Sequence, residues 1–114
     1  MTYLIAADVP EELAGHRFRA LVKRSGIAQL PGAYNGLSAL QAKDHGFEGL
    51  YLSGAAMSAQ MGLPDLGVMT IDDVCFFIRQ VARASGLPVL VDGDTGFGEA
   101  LNVMQMVRAF EDAG

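Results

Sequence analysis

The fold is decided by one stretch, Leu87-Pro88-Val89-Leu90-Val91-Asp92-Gly93-Asp94-Thr95-Gly96-Phe97-Gly98. It opens as a short apolar run, which is typical of a strand buried on both faces. Residues two apart in an extended chain share a face, so Asp92 and Asp94 are predicted to project together at the carboxyl end of this strand. Two close carboxylates repel each other, and a hard divalent cation such as Mg²⁺ removes that repulsion. The alternative is a polar turn with solvated aspartates, because so short a motif also occurs in ordinary loops.

Composition excludes several classes of protein. The chain has 114 residues, of which 51% are hydrophobic, so it is predicted to be folded rather than disordered. A formal net charge of −5 argues against binding to nucleic acid or to an anionic membrane. The single cysteine, Cys75, excludes an internal disulfide framework and fits a reducing cytoplasm. The sequence contains no apolar run long enough for a transmembrane helix and no signal peptide pattern.

Short apolar runs alternate with helical segments along the chain. The predicted order is a loose lead-in at 1–9, an N-terminal helix at 10–26, and strands at 27–33, 47–53 and 87–91, each followed by a helix. The pattern predicts parallel βαβ units, and three strands are too few for a complete doubly wound domain or barrel. We therefore expect the chain to be part of a larger α/β domain.

Apolar residues at helical spacing predict which helix faces are buried. These residues are Ala14, Phe18, Leu21 and Val22 in the first helix, Leu37 and Leu40 in the second, Val74, Phe77, Ile78 and Val81 in the third, and Val103, Met104, Val107 and Phe110 in the last. Asn35 is predicted to cap the second helix, and Thr70 and Asp73 to form a capping box. Gly86 is predicted to end the third helix.

The carboxyl end of the second strand offers a further set of candidates. Tyr51 and Ser53 share a face, and the small residues of Ser53-Gly54-Ala55-Ala56 expose backbone N–H groups that suit a carboxylate or phosphate. Close packing of a turn explains the same tetrapeptide, and a core role explains Tyr51 equally well. Asp65 lies in a Gly- and Pro-rich loop, where Asp is also an ordinary turn residue.

The glycines after the third strand have a predicted role of their own. Gly93, Gly96 and Gly98 leave the backbone without side chains, so we expect a ligand to approach it closely. This interpretation treats the stretch after Val91 as a ligand-binding loop.

Four motifs occur together and in a defined order. They are Pro31-Gly32-Ala33-Tyr34-Asn35, Tyr51-Leu52-Ser53-Gly54-Ala55-Ala56, Gly62-Leu63-Pro64-Asp65-Leu66-Gly67 and Asp92-Gly93-Asp94-Thr95-Gly96-Phe97-Gly98. In this order and spacing the chain resembles the isocitrate lyase/phosphoenolpyruvate mutase superfamily from about residue 18 to residue 114. The resemblance implies an α/β fold, namely a partial (β/α)₈ TIM barrel in which residues 1–114 form the N-terminal part of a single domain.

The resemblance also implies an activity. It implies a cytoplasmic, Mg²⁺-dependent lyase that cleaves a carbon–carbon bond in a hydroxy tricarboxylate and that is a homo-oligomer at full length. The members that it most resembles act on 2-methylisocitrate, give pyruvate and succinate, and serve propionate catabolism in the methylcitrate cycle. Isocitrate cleavage, phosphonate P–C bond chemistry, and hydrolysis or decarboxylation of oxaloacetate remain alternatives, as does a half-barrel that only binds a ligand.

By resemblance, the acidic residues divide into two kinds of metal ligand. Asp92 matches the direct Mg²⁺ ligand and also belongs to the substrate site. Asp94 and Asp65 match acids that hold the metal mainly through water.

By the same resemblance, the second strand supplies the groups that contact substrate. Ser53, Gly54 and Ala55 match the segment that binds the pyruvate-type carboxylate, and Tyr51 matches a catalytic tyrosine close to the reacting centre. The general acid of the family's lyases is a cysteine in a Lys-Lys-Cys-Gly-His-type loop. No such loop occurs in the 114 residues, and Cys75 stands in a different context, so this chain alone is expected to be inactive.

Overall fold

A computed structural model describes residues 9–114, so all but the last residue of the predicted lead-in lies outside the described part. The elements, in chain order, are α1 (Ala14–Lys23), α2 (Gly36–Asp44), β1 (Leu50–Leu52), α3 (Gly54–Gln60), α4 (Ile71–Ser85), β2 (Val89–Val91) and α5 (Ala100–Ala113). The chain is α/β, as predicted. In the described residues no helix combines the length and the apolarity that a membrane span requires.

β1 and β2 form a parallel pair. Leu50 is paired with Val89 and Leu52 with Val91. The N–H of Asp92 donates to the carbonyl of Leu52 over 2.9 Å, so the ladder continues to the carboxyl end of β2. The parallel pairing of the second and third predicted strands is confirmed, although both strands are shorter than predicted.

The first predicted strand, 27–33, is wrong as a regular strand. Among the described residues this segment meets the sheet at one isolated parallel bridge, between Gly32 and Tyr51. Two hydrogen bonds hold the segment to β1. The Ala33 N–H donates to the Tyr51 carbonyl over 2.9 Å, and the Tyr51 N–H donates to the Pro31 carbonyl over 3.0 Å. Pro31 itself has no N–H to extend the ladder. Ile27 is 92% exposed and contributes no burial.

α4 is the centre of the core. Its predicted stripe is confirmed, because Val74, Phe77, Ile78 and Val81 are all buried against the sheet together with Leu50, Leu52 and Met57. The predicted capping box is present: the Thr70 hydroxyl accepts from the Asp73 N–H, and the Asp73 carboxylate accepts from the Thr70 N–H. Gly86 ends the helix in the left-handed conformation, with φ 69°.

The buried face of α2 was predicted wrongly. Leu37 is 67% exposed and Leu40 is also exposed, whereas Ala39 and Ala42 are buried. α2 packs directly on α4, and a side chain at Gly36 would already touch the Cβ of Ala84 at 3.4 Å. Small residues are therefore buried at this interface, while the leucines lie on the outer face. The cap at Asn35 is confirmed, since its side chain accepts from the Ser38 N–H over 2.8 Å.

The two outer helices also depart from prediction. In α5 the side chains of Val103, Met104 and Val107 are exposed, and only Phe110 of the predicted stripe is packed against the core. α5 packs against α4, and this contact covers only part of the predicted apolar face of α5.

α1 begins at Ala14, so the predicted first helical turn from Pro10 is wrong. Of its predicted face, Leu21 is buried, Ala14 and Phe18 are partly buried, and Val22 is half exposed. The helix is tied to the end of α4 by the Arg17 guanidinium, which donates to the Gly86 carbonyl over 2.7 Å.

Candidate functional site

The carboxyl ends of β1 and β2 are joined by a side chain. Asp92 directly follows β2, and its Oδ2 accepts a hydrogen bond from the Gly54 N–H over 3.0 Å. Gly54 is the first residue of α3, which Ser53 caps by accepting from the Ala56 N–H over 3.4 Å. The predicted carboxylate-binding segment and the predicted metal ligand are therefore in direct contact.

Asp94 meets Asp92 through a turn. The Asp94 N–H donates to Asp92 Oδ1 over 3.0 Å, and Asp94 has the left-handed φ of 46°. A methyl group added at Gly54 would lie 2.9 Å from Asp92 Oδ2 and 3.5 Å from Asp94 Oδ1, so both carboxylates reach the same glycine. The convergence of the two acids is as predicted, but the reason was wrong, because Asp94 is not part of an extended segment.

The electrostatics of this pair favour a cation. Burial raises the pKa of the Asp94 carboxyl, and the charges of Asp92 and Asp65 raise it further. Asp65 is exposed in its loop and acts on Asp94 at a distance. Within residues 9–114 no group of three or more His, Cys, Asp or Glu side chains is arranged to hold a metal together. The two convergent carboxylates still fit Mg²⁺, which commonly takes one or two carboxylates and keeps several waters.

The glycines after β2 pack against α5, a contact that the sequence did not predict. Side chains of α5 approach these glycines in the structure. A Cβ at Gly93 would lie 3.1 Å from Met106 Sδ, and one at Gly96 would overlap Val103. Because these positions carry no side chains, the loop can pack closely against α5. Gly54 is the glycine beside which the carboxylates lie.

Tyr51 lies on the same sheet face as the acids. It is paired with Leu90, whose side chain is exposed, whereas the neighbouring pair Leu52 and Val91 faces the core. Ser53 and Asp92 each stand two residues beyond the Tyr51–Leu90 pair, so they share the face of Tyr51. Tyr51 is partly buried, and its hydroxyl has no hydrogen-bond partner within the described part of the chain.

Two features near the site were missed by sequence reasoning. The hydrogen bond from Gly54 to Asp92 crosses 38 residues, and no local pattern announces it. The contact of Phe97 with Phe110 is also new, with ring centroids 6.2 Å apart and the ring planes at 72°. An aromatic residue between two glycines was the available signal for this second contact.

Neither Cys75 nor the cavity near Phe97 involves the side chains of Asp92 and Asp94. Cys75 is buried between α4 and α5, with its Sγ 3.6 Å from the Ala109 carbonyl, and burial raises the pKa of its thiol. A cavity of about 610 Å³ opens between the start of α4 and the loop around Phe97, and neither Asp92 nor Asp94 lines it. The chemistry of the site therefore rests on the carboxyl ends of β1 and β2.

The fold and this site define an α/β protein with convergent acids at the carboxyl edge of a parallel sheet. Over residues 18–114 the sequence matches the family described as phosphoenolpyruvate phosphomutase. The chain belongs to this family, and the predicted resemblance is confirmed.

Named relatives refine the comparison. The chain is 50% identical to 2-methylisocitrate lyase of Bacillus subtilis, over 90% of this chain and 34% of that protein. It is 46% identical to 2-methylisocitrate lyase of Aeropyrum pernix, over 92% of this chain and 34% of the relative. It thus spans about a third of the length of these curated relatives.

Solved structures support the same fold. The phosphoenolpyruvate phosphomutase of Streptomyces platensis subsp. rosaceus superposes with a TM-score of 0.84 at 42% identity, over 89% of this chain and 35% of that one. A phosphonopyruvate hydrolase in complex with oxalate and Mg²⁺ superposes with a TM-score of 0.83 at 31% identity, over 90% and 36% of the two chains. A metal ion accompanies this fold in the second of these proteins.

Proposed function

We propose that this chain is the N-terminal part of the (β/α)₈ barrel of a cytoplasmic, Mg²⁺-dependent lyase that cleaves 2-methylisocitrate to pyruvate and succinate. The observation that carries the proposal is the Asp92 carboxylate, which is held between the N–H groups of Gly54 and Asp94 beside a second carboxylate. The reaction is proposed by similarity to the relatives that are named 2-methylisocitrate lyase. The full-length protein is proposed to be a homo-oligomer.

The acids would hold the metal with a division of roles. Each oxygen of Asp92 accepts one backbone hydrogen bond, which orients the carboxylate and leaves lone pairs for a metal. Asp92 would bind Mg²⁺ directly, and Asp94 and Asp65 would act mainly through water. When bound, Mg²⁺ supplies Lewis acidity that favours loss of the substrate hydroxyl proton.

The end of β1 would bind the carboxylate that becomes part of pyruvate. The N–H of Gly54 is already used by Asp92, and that of Ala56 is used by Ser53. The N–H of Ala55 has no acceptor among the described residues, so it would be the backbone donor to substrate, together with the Ser53 hydroxyl. Tyr51, on the same face, would stand close to the reacting carbon.

The reaction balances as a retro-aldol cleavage. The hydroxyl oxygen gives its proton to a base and becomes the carbonyl of pyruvate, while the carbon–carbon bond breaks and leaves its electron pair on the succinate carbon. An acid then protonates that carbon. The resemblance assigns this step to a cysteine that is not among these 114 residues, and buried Cys75 does not replace it.

The metal assignment is tested by Asp92→Asn, which keeps the volume and removes the charge. We expect the variant to lose Mg²⁺ binding in calorimetric titration and, in the full-length gene product, to lose Mg²⁺-dependent release of pyruvate. Asp94→Asn and Asp65→Asn should be milder, with losses on the order of 10–100-fold.

Asp72→Asn is the matched control, because Asp72 lies in the exposed first turn of α4. The assignment is wrong if Asp92→Asn keeps normal Mg²⁺ affinity while Asp72→Asn loses it.

Parallel assays of the full-length product with isocitrate, phosphonopyruvate and oxaloacetate decide among the alternative reactions. If the full-length product binds Mg²⁺ but turns over none of these substrates or 2-methylisocitrate, the result favours a ligand-binding domain.

A further inference from the structure

The loop after β2 has an unusual backbone. Asp94, Gly96, Phe97 and Gly98 all have positive φ, at 46°, 93°, 63° and 149°. Asp tolerates the left-handed region and Gly adopts it freely, whereas a bulky residue such as Phe is an outlier there. A backbone of this kind persists only where the surroundings hold it.

α5 provides those surroundings. The Phe97 ring packs edge-on against Phe110, and Phe97 is joined to the core. Gly96 is buried against Val103, at a distance that no side chain at position 96 would allow. The loop thus packs against α5 at both Gly96 and Phe97. Phe97 contributes the large side chain of this contact.

The same loop carries Asp94. Two residues separate Asp94 from Phe97. Asp94 lies in a turn over residues 93–96, which is closed by the Gly96 N–H donating to the Gly93 carbonyl over 2.9 Å. If the ring lost its contact, Phe97 would relax toward negative φ. The turn would then open, and the Asp94 carboxylate would leave its place beside Asp92 and Gly54.

We propose that Phe97 and Phe110 are a positioning pair that holds Asp94 in the geometry required for binding a divalent cation. This inference rests on the proposed metal site. Neither ring touches the cation in this account. Phe110 acts on the site through the loop: its ring packs on Phe97 and also lies beside Gly93, where an added Cβ would meet it at 3.9 Å.

The test is Mg²⁺ titration of the isotope-labelled chain, followed by NMR at the Gly54 amide, which donates to Asp92. We expect Phe97→Leu and Phe110→Leu each to weaken Mg²⁺ binding on the order of 10-fold, as other supporting residues of metal sites do. Phe97→Tyr keeps the ring and should retain wild-type affinity. The double Leu variant should be no weaker than Phe110→Leu alone, because Phe110→Leu already removes the contact between the two rings.

Phe76→Leu is the matched control. Phe76 forms another edge-on ring pair, with Phe77 at 5.8 Å, and lines a cavity with Gly36 of α2 that includes no residue of the loop. It should leave Mg²⁺ affinity unchanged. Folded and unfolded molecules give separate resonances, so the affinity measured belongs to the folded chain even where a variant is less stable. A wild-type spectrum typical of an unfolded chain would overturn the inference.

Two failures are distinguishable. If Mg²⁺ shifts the Gly54 amide in wild type and not in Asp92→Asn, the metal site stands. Should Phe97→Leu and Phe110→Leu then bind like wild type while their melting temperatures fall, the ring pair is only structural and the inference is wrong. If wild type binds no Mg²⁺, or if Asp92→Asn binds it equally well, the proposed metal site fails and the inference fails with it.

Discussion

At the scale of single residues, the same amino acid serves opposite purposes in neighbouring motifs. Gly54 has no side chain because the Asp92 carboxylate occupies the space that a Cβ would need. Gly96 has none because Val103 of α5 does. Both positions lie in motifs that predict close approach to a ligand, and only the packing shows which group approaches.

Cys75 yields a prediction about pH. Burial raises the pKa of its thiol, so less thiolate is present at any given pH than in an unfolded chain. At pH 8 we expect reaction with a disulfide reagent such as dithionitrobenzoate to be at least about 10-fold slower in the folded chain than in denaturant, since thiolate is the reacting form and the sulfur is also covered. Equal rates in the two states would show that the thiol is accessible.

At the scale of elements, the helix with the clearest local signals was predicted best. α4 has a capping box, a continuous apolar stripe and a terminal glycine, and all three are present in the structure. α2 and α5 have leucines, valines and methionines at helical spacing, yet most of these side chains are exposed. Spacing shows that a helix has an apolar face, and the neighbouring elements decide whether that face is covered.

The α4 cap can be measured. Thr70→Ala removes the acceptor for the Asp73 N–H and should lower the free energy of unfolding by about 1 kcal/mol. Thr70→Ser keeps the hydroxyl and serves as the control, with a much smaller loss. Chemical denaturation of the three proteins provides the comparison. An Ala variant as stable as wild type would mean that the cap contributes nothing to stability.

At the scale of the whole molecule, the chain corresponds to one part of its curated relatives. It spans about a third of the 2-methylisocitrate lyases that it matches. Its described residues place the acids and the proposed carboxylate-binding segment at one sheet edge, and Leu90 beside them is exposed. Val103, Met104 and Val107 form an exposed apolar stripe on α5. These are the groups proposed to bind metal and substrate, whereas the cysteine loop that the resemblance implies as proton donor is not among the 114 residues.

We therefore predict that the 114-residue chain releases no pyruvate from 2-methylisocitrate and Mg²⁺ above a buffer blank. The only thiol in the sequence is Cys75, which is buried between two helices and cannot reach a carbanion at the sheet edge. A coupled pyruvate assay tests this, with the Bacillus subtilis 2-methylisocitrate lyase as positive control. Clear turnover by the chain alone would contradict the prediction.

The sequence by itself determined the parallel order of β1 and β2, the limits of α4, and the placement of Asp92 and Ser53 at adjacent strand ends. The limits of α4 follow from its cap and its terminal glycine, which act between residues close together in the chain. The parallel order follows from the alternation of strands and helices, because a helix between two strands brings the chain back to the same end of the sheet. Tertiary structure decided that the segment before Pro31 stays outside the sheet and that the Gly54 N–H holds Asp92. It also decided that Phe97 adopts a left-handed backbone against Phe110. Each of these depends on groups from distant parts of the chain, whose contact free energies compete with local preference, so no local pattern predicts them.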